Sequence, residues 1–134
     1  MFDYGGRRIG VATANRIAGL ASALATLAAH DGEPDWPALD ALVAEWAPDV
    51  LVIGVPLGRE GDDTPASRHA RAFAAALGAR YGRPVATLDE RLTSAEASDR
   101  LRERRRSGAM TRRVRTGDVD AEAARLLGET WLRS

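Results

Sequence analysis

The sequence contains no cysteine and no lysine, and it has only two histidines among its 134 residues. Without cysteine the chain forms no disulfide, no thiolate nucleophile and no cysteine-based zinc site. Without lysine it lacks the Walker-type GK[ST] motif, which disfavours nucleotide hydrolysis. Because histidine is also scarce, a metal centre in this chain would be built from carboxylates, which prefer hard cations such as Mg²⁺ and Mn²⁺.

Charge and hydropathy also lack the extremes that indicate a membrane or a polyanion as partner. The 19 basic residues balance 19 acidic ones, so nucleic-acid binding would have to arise from a local cluster of charge. No run reaches the ~18 apolar residues of a membrane span. Residues 7–29 have arginines before an alanine-rich run, as signal peptides do, but Arg16 interrupts the run and Asp3 precedes it. We therefore expect one globular domain over residues 1–134, located in the cytoplasm and not bound to a membrane.

Three short apolar segments at the start of the chain predict three antiparallel strands. They cover residues 2–4, 8–14 and about 19–27. Gly5-Gly6 and Asn15-Arg16 separate them, and glycine and asparagine favour the turns that join paired strands. The N-terminal part of the chain is therefore predicted to be an antiparallel meander.

The rest of the chain alternates between helices and strands. A helix within residues 34–49 is predicted from an apolar face formed by Trp36, Leu39, Val43 and Trp46. Buried strands are predicted over residues 50–56 and 83–90, further helices over residues 66–82, 93–106 and 118–132, and a loop over residues 107–117. This order predicts an α/β fold with a five-stranded mixed sheet, three antiparallel strands followed by two parallel strands, and helices on both faces. The first strand would then be central, beside the parallel strands.

Carboxylates are predicted to converge at the carboxyl ends of the parallel strands, where ligands bind in sheets of this kind. Asp3 ends the first strand, Asp89 and Glu90 end the last one, and Asp118 and Asp120 open the final helix. Such acids can hold a pair of Mg²⁺ or Mn²⁺ ions, which activate water and stabilise the leaving oxygen of a phosphodiester. Asp118 and Asp120 also suit ordinary N-capping of the helix, and for Asp118 this simpler interpretation is favoured.

Four successive blocks of the sequence resemble those of the YqgF family: FDYGGRRIGVA, the stretch from EPDWPALDAL to RHARAFAAAL, LDERLTSAEA and GDVDAEAARLL. Members of this family are pre-16S rRNA nucleases with a ribonuclease-H-like fold similar to that of Holliday junction resolvases. The resemblance runs in order over nearly the whole chain. It implies a ribonuclease-H-like fold, a metal-dependent phosphodiesterase site and a role in ribosome biogenesis at the 5′ end of the precursor rRNA.

The resemblance also implies roles for individual residues. The acids of the family's blocks correspond to Asp3, Glu90 and Asp120, which would be both catalytic residues and metal ligands. Asp89 and Glu90 cannot both face one metal site, because neighbouring side chains of a strand point to opposite faces. We predict that Glu90 is the ligand and that Asp89 bonds backbone N–H groups in the following turn.

Arginines are the candidates for binding substrate. Nine arginines and three acidic residues lie between positions 91 and 115, which indicates a contact with phosphates, although a solvated helix face is the alternative. No aromatic residue interleaves these arginines, so recognition of backbone and shape is favoured over base stacking. The three tryptophans are instead predicted to face the core or its rim. The substrate-binding candidates are Arg7, Arg8, Arg59, Arg91, Arg112, Arg113 and Arg115.

The sequence departs from the family at positions that bear on these assignments. Members have several more apolar residues before the first acid, so we expect a shortened first strand, either because the start codon is assigned too late or because the strand is brief. Members also have lysine where Arg7 stands, asparagine where Gly58 stands, and basic residues near Thr116 and Asp118. Three functions stay open: cleavage of precursor rRNA, cleavage of branched DNA as a junction resolvase, and binding of nucleic acid without catalysis. A monomer and a weak homodimer are equally compatible with the pattern.

Overall fold

The computed structural model of the chain describes residues 1–92 and 116–134, with the side chains of residues 92 and 116–118 left outside the description. The helix predicted over residues 93–106 lies outside the described residues. The same is true of most of the predicted loop over residues 107–117 and of the candidates Arg112, Arg113 and Arg115.

Strands and helices follow one another along the described chain in nearly the predicted order. The strands are β1 (Phe2–Tyr4), β2 (Arg8–Asn15), β3 (Leu20–His30), β4 (Glu33–Pro34), β5 (Leu51–Val55) and β6 (Val85–Asp89). The helices are α1 (Trp36–Trp46), α2 (Pro65–Tyr81) and α3 (Thr116–Arg133), and a 3₁₀ turn (Glu90–Leu92) follows β6. Within the described ranges, no helix combines the length and the apolar character that crossing a bilayer needs. The prediction of an α/β fold is confirmed.

The sheet is mixed, and it has six strands in the order β4-β3-β2-β1-β5-β6, where five were predicted. The additional strand β4 pairs with the end of β3, Ala29 with Pro34 and His30 with Glu33. Asp31 and Gly32 between them have φ values of 50° and 82°. Positive φ at both central residues is the backbone of a tight hairpin turn, for which Asp-Gly is a preferred sequence. The prediction was wrong because it passed over this turn, which extends β3 to His30 and returns the chain as β4.

β1 is short and central. It pairs antiparallel with β2 and parallel with β5, and β6 pairs with the other side of β5. The central position predicted for the first strand is therefore confirmed. β5 is buried along its whole length, as predicted. β6 is only half-buried, and the prediction of a second fully buried strand was wrong because β6 is the last strand of the described sheet.

Helices α1 and α2 cover one face of the sheet. The core on this face includes Phe2, Ile9, Ile53, Leu39 and Leu77. Leu39 and Val43 of the predicted apolar face of α1 are buried. Trp46 is 49% exposed, because α1 ends at this residue and Ala47 turns the chain away with left-handed backbone. The prediction that all three tryptophans face the core or its rim was therefore wrong for Trp46.

Helix α3 covers the other face, so the prediction of helices on both faces is confirmed. Leu127 of α3 packs with Val52 and Leu88. The first turn of α3 touches the sheet at Gly10, where a Cβ atom would lie 2.5 Å from the carbonyl carbon of Asp120 and closer still to its oxygen. Glycine at position 10 permits this close approach of helix to strand. The contact fixes the place of Asp120 relative to the sheet.

Candidate active site

Asp3 and Glu90 lie on the same face of the sheet, at the carboxyl ends of β1 and β6. Phe2 and Tyr4 pack towards α1 and α2, so the alternation of side chains along β1 turns Asp3 towards α3. Leu88 packs against α3, and Glu90 follows two residues later with the same orientation. The side chains of Asp3 and Glu90 are hydrogen-bonded to each other. The fold thus brings together two acids that the sequence places on separate strands.

A glycine in β5, the strand between β1 and β6, makes room for this contact. A Cβ atom at Gly54 would lie 2.6 Å from Oε1 of Glu90 and 2.8 Å from Cδ1 of Leu127. Neither distance is tolerated by a real Cβ atom, so a larger residue would displace the Glu90 side chain. Sequence analysis missed this role of Gly54. The signal was present, because a lone glycine inside a strand pattern indicates a close approach by another group.

Asp120 approaches the same edge of the sheet from the first turn of α3. Its backbone lies against Gly10, and Gly10 is the partner of Asp3 in the β1–β2 ladder. Its carboxylate accepts a hydrogen bond from Nε of Arg8 at 2.7 Å. Its negative charge is close enough to raise the pKa of Asp3. The three predicted acids are therefore neighbours, and one of them is paired with an arginine.

Burial controls the protonation of the two hydrogen-bonded acids. It raises the pKa of Glu90 from 4.5 to about 8, and the negative charge of Asp3 acts in the same direction. Burial also raises the pKa of Asp3, while the hydrogen bond with Glu90 lowers that pKa. Two adjacent, half-buried carboxylates repel each other, so the pair favours keeping one shared proton at neutral pH. The proton shared by Asp3 and Glu90 therefore marks a position at which positive charge is stabilised.

A hard divalent cation suits this set of donors. Asp3 and Glu90 supply carboxylate oxygens, the ligands that Mg²⁺ and Mn²⁺ prefer, and a cation can replace their shared proton. Within residues 1–92 and 116–134, no three acidic or histidine side chains are arranged to hold an ion as they stand. Asp120 is paired with Arg8, so its use as a third carboxylate ligand would require that pairing to break.

We expect the difference in stability between the wild type and Glu90→Gln to depend on pH in the absence of metal. The pKa of Glu90 is raised in the folded protein from 4.5 to about 8, so the folded state binds a proton that the unfolded chain has lost. The contribution of this protonated carboxyl group to stability is fully present below pH 4.5. It is lost as the pH rises through about 8.

Denaturant unfolding in chelator from pH 5 to pH 8 measures this dependence. The wild type should lose about 2 kcal/mol relative to Glu90→Gln over that range, since each unit of pKa corresponds to ~1.4 kcal/mol and the charge is partly relieved by its surroundings. The buried amino group of Met1, whose pKa is lowered to about 5, has the opposite pH dependence, but it is the same in both proteins. A difference that stays constant with pH would mean that Glu90 ionises as it does in water.

Asp89 and Arg91 flank Glu90 and bind each other rather than the acid pair. The Asp89 carboxylate accepts hydrogen bonds from the backbone N–H of Arg91 at 2.9 Å and from its Nη2 at 2.6 Å. The backbone bond is the one predicted for Asp89. Arg91 also donates from Nη1 to the backbone oxygen of Arg59, 3.2 Å away. Arg91, a candidate for binding substrate, therefore links the turn that carries Glu90 to the loop between β5 and α2.

The other candidate arginines of the described chain lie around the same edge. Arg7 and Arg59 are exposed, on the turn between β1 and β2 and on the loop between β5 and α2. Arg8 follows Arg7 in the sequence, and its guanidinium forms an ion pair with Asp120. Cationic side chains are therefore present on two of the segments that border the acid pair.

Comparison with known proteins finds one family model and close relatives. The model is described as RuvX: Holliday junction resolvase, and it matches residues 1–134. A protein of Pseudomonas putida named "Putative pre-16S rRNA nuclease" is 44% identical over 133 residues, which are 99% of this chain and 92% of that protein. A protein of Azotobacter vinelandii with the same name is 47% identical over 132 residues, 98% of this chain and 89% of that protein.

Proposed function

Because this chain belongs to the RuvX (YqgF) family, we propose that it is a metal-dependent nuclease that cleaves phosphodiester bonds in the precursor of 16S rRNA. The family and the names of the relatives support a hydrolytic nuclease, and those names supply the substrate. The central β1, the parallel strands beside it and the helices on both faces support a ribonuclease-H-like fold. A role in ribosome biogenesis, at the 5′ end of the precursor, would place the protein in the cytoplasm.

The observation that carries this proposal is the hydrogen-bonded pair of Asp3 and Glu90, with Asp120 beside it. On a surface that only bound nucleic acid, three acids would weaken binding, because they repel the phosphates of the ligand. A nuclease uses such acids to hold cations that attract the same phosphates. The arrangement therefore favours catalysis over binding without catalysis.

Mg²⁺ or Mn²⁺ held by these acids would supply an activated water and a positive charge at the leaving oxygen. The residues of the chain prepare that chemistry. Asp3 and Glu90 are held on strand ends, and Gly54 leaves space for the Glu90 side chain. If Asp120 served as a ligand, it would have to leave Arg8, and the Arg8 guanidinium would then be available to bind a phosphate oxygen. Arg7 and Arg59, which are exposed, would contact the flanking RNA backbone.

Branched DNA is the second candidate substrate, because the family model that matches the whole chain is described as a Holliday junction resolvase. The same acids can cleave the phosphodiester of either nucleic acid. The shape of the substrate would then decide between them, since the grooves of RNA and DNA duplexes differ.

Asp3→Asn is expected to abolish cleavage with little change in binding, because the amide keeps the shape of the side chain and removes the charge of a ligand. The assay uses two substrates, a 5′ fragment of precursor 16S rRNA and a four-way DNA junction. Each substrate is incubated with Mg²⁺, with Mn²⁺ and with chelator. We expect cleavage of the RNA that requires the ion and the Asp3 carboxylate. Cleavage of the junction alone would assign DNA as the substrate. Undiminished cleavage in chelator, or by Asp3→Asn, would contradict the proposed metal site.

A further inference from the structure

A cavity of about 550 Å³ lies on the face of the sheet opposite the three acids. It is bordered by the turn between β1 and β2, the turn between β3 and β4, and the helices α1 and α2. Its walls include the aromatic side chains of Tyr4, Trp36 and Phe73 and the small residues Ala72 and Ala76 of α2. The chemistry proposed for the acids does not use this cavity.

We propose that the cavity binds one unpaired nucleobase of the RNA substrate. This inference rests on the proposed function, and it adds a site for part of the substrate. The volume is within the ~300–1,000 Å³ of sites for small molecules. A double helix is too broad to enter such a space, so the occupant is a base that lies outside a duplex.

The aromatic walls suit a flat, apolar ligand. The rings of Tyr4 and Phe73 are stacked with centroids 4.8 Å apart, and the centroid of Trp36 lies 6.5 Å from that of Phe73. Trp36 is held in place, since its Nε1 donates to Glu33 at 3.1 Å and the Arg80 guanidinium lies over one face of its ring, with Cζ 4.6 Å from the centroid. Bases bind to aromatic side chains without strong preference for sequence, because every base has a π-face. Three rings from three separate segments therefore form a wall that no single stretch of the sequence contains.

Polar groups at the cavity match the rest of a nucleotide. Arg7 is exposed and supplies a positive charge for a phosphate, and His69 of α2 lies on the same cavity. Asp31 is an exposed carboxylate at the rim, where it can accept hydrogen bonds from the N–H groups of a base. The cavity therefore combines an apolar slot with groups of both signs, as nucleotide sites do.

Consecutive residues of the chain face the cavity and the acid pair. Asp3 and Tyr4 are consecutive residues whose side chains point to opposite faces, and Arg7 and Arg8 are consecutive in the turn that follows. Gly6 in this turn is exposed, and a Cβ atom there would meet nothing within 4 Å. This turn therefore borders both the acid pair and the cavity.

The test follows RNA binding through the indole N–H signal of Trp36, under conditions in which no cleavage occurs. The chain has three tryptophans, which give three indole N–H signals in a ¹H–¹⁵N spectrum, and Trp36→Phe identifies the signal of Trp36. A short single-stranded RNA is titrated in chelator, and a duplex of the same sequence serves as comparison. We expect the single strand to shift the Trp36 signal in a saturable manner and to leave those of Trp46 and Trp131 in place. A Trp36 signal that does not move, or one that moves equally with the duplex, would overturn the proposal.

Ala72→Leu narrows the cavity by adding three carbon atoms to its wall, and Ala75→Leu is its matched control. Ala75 is exposed on the same helix and does not line the cavity. Ala72→Leu should weaken binding of the single strand by about tenfold or more, the scale on which pockets discriminate against poorly fitting groups, whereas Ala75→Leu should not. Equal binding by the two variants, both with the unfolding temperature of the wild type, would contradict the proposal. Because binding is measured without cleavage, the cavity can fail this test while the nuclease activity is present, and the reverse outcome is equally visible.

Discussion

Glu90→Gln is expected to reduce cleavage by about 1,000-fold or more, since several kcal/mol of transition-state stabilisation are lost when a metal site loses a ligand. Glutamine keeps the size of glutamate and fits beside Gly54, but it has no charge with which to hold a cation. The variant should remain folded. Without metal it should be more stable than the wild type at pH 8, because burial raises the pKa of Glu90 to about 8 and makes its charged form costly. Single-turnover cleavage and thermal unfolding measure the two effects.

Asp89→Asn, the same change one residue earlier, is the matched control. Asp89 belongs to the opposite face of β6 and binds Arg91, and the Arg91 pairing lowers the pKa of Asp89. Loss of the Asp89 carboxylate should lower the stability of the turn, and the variant should keep most of the wild-type cleavage rate. A folded and active Glu90→Gln together with a folded and inactive Asp89→Asn would assign the site to Asp89. Loss of cleavage in both variants would mean that the turn must be rigid for Glu90 to act.

The order of the elements could be predicted because apolar patterns report burial. The continuous apolar run of β5 indicated a strand covered on both faces, and β5 is buried throughout. The spacing of Leu39 and Val43 indicated a helix with one buried face, and both residues are buried. The central place of β1 followed from the crossover rules for parallel strands. None of these inferences required knowledge of contacts between distant residues.

The errors arose where local pattern does not determine the surroundings. β6 was predicted to be buried like β5, but Thr87 and Asp89 alternate with its apolar residues, and the strand is half-buried with Thr87 exposed. β4 has only two residues, too few for any period, and only the Asp-Gly turn before it indicates a strand. Trp46 continues the apolar face of α1 and is exposed because the helix ends there.

In the candidate site, too, some features could be predicted from the sequence and others could not. Asp3 and Glu90 could be placed together because both end strands that meet at one edge. The partners of the neighbouring charges could not be predicted, since Arg8 and Asp120 are 112 positions apart and meet only when α3 packs on β2. The roles of Gly10 and Gly54 were also missed: a glycine inside a strand indicates a close approach, but the sequence does not say that the approaching atoms come from Asp120 and from Glu90 and Leu127.

Gly10→Ala is expected to destabilise the protein by about 3 kcal/mol or more, which corresponds to a fall of roughly 10 °C in Tm. The new methyl group would lie 2.5 Å from the carbonyl carbon of Asp120 and 3.2 Å from the backbone nitrogen of Ala121. The three nearest atoms all belong to the backbone, so none of them can rotate away as a side chain does. The first turn of α3 would have to move off the sheet. Thermal unfolding followed by circular dichroism measures the loss.

Gly6→Ala and Gly54→Ala separate the causes. A Cβ atom at Gly6 would meet nothing within 4 Å, so Gly6→Ala should keep the Tm of the wild type. At Gly54 the methyl group would meet the side chains of Glu90 and Leu127, which can shift, so Gly54→Ala should lose cleavage with a smaller loss of stability. Gly10→Ala should lose both, because moving α3 also takes Asp120 away from Asp3. Equal Tm values for Gly10→Ala and Gly6→Ala would show that α3 does not rest on Gly10, and the placement of Asp120 beside Asp3 would then be wrong.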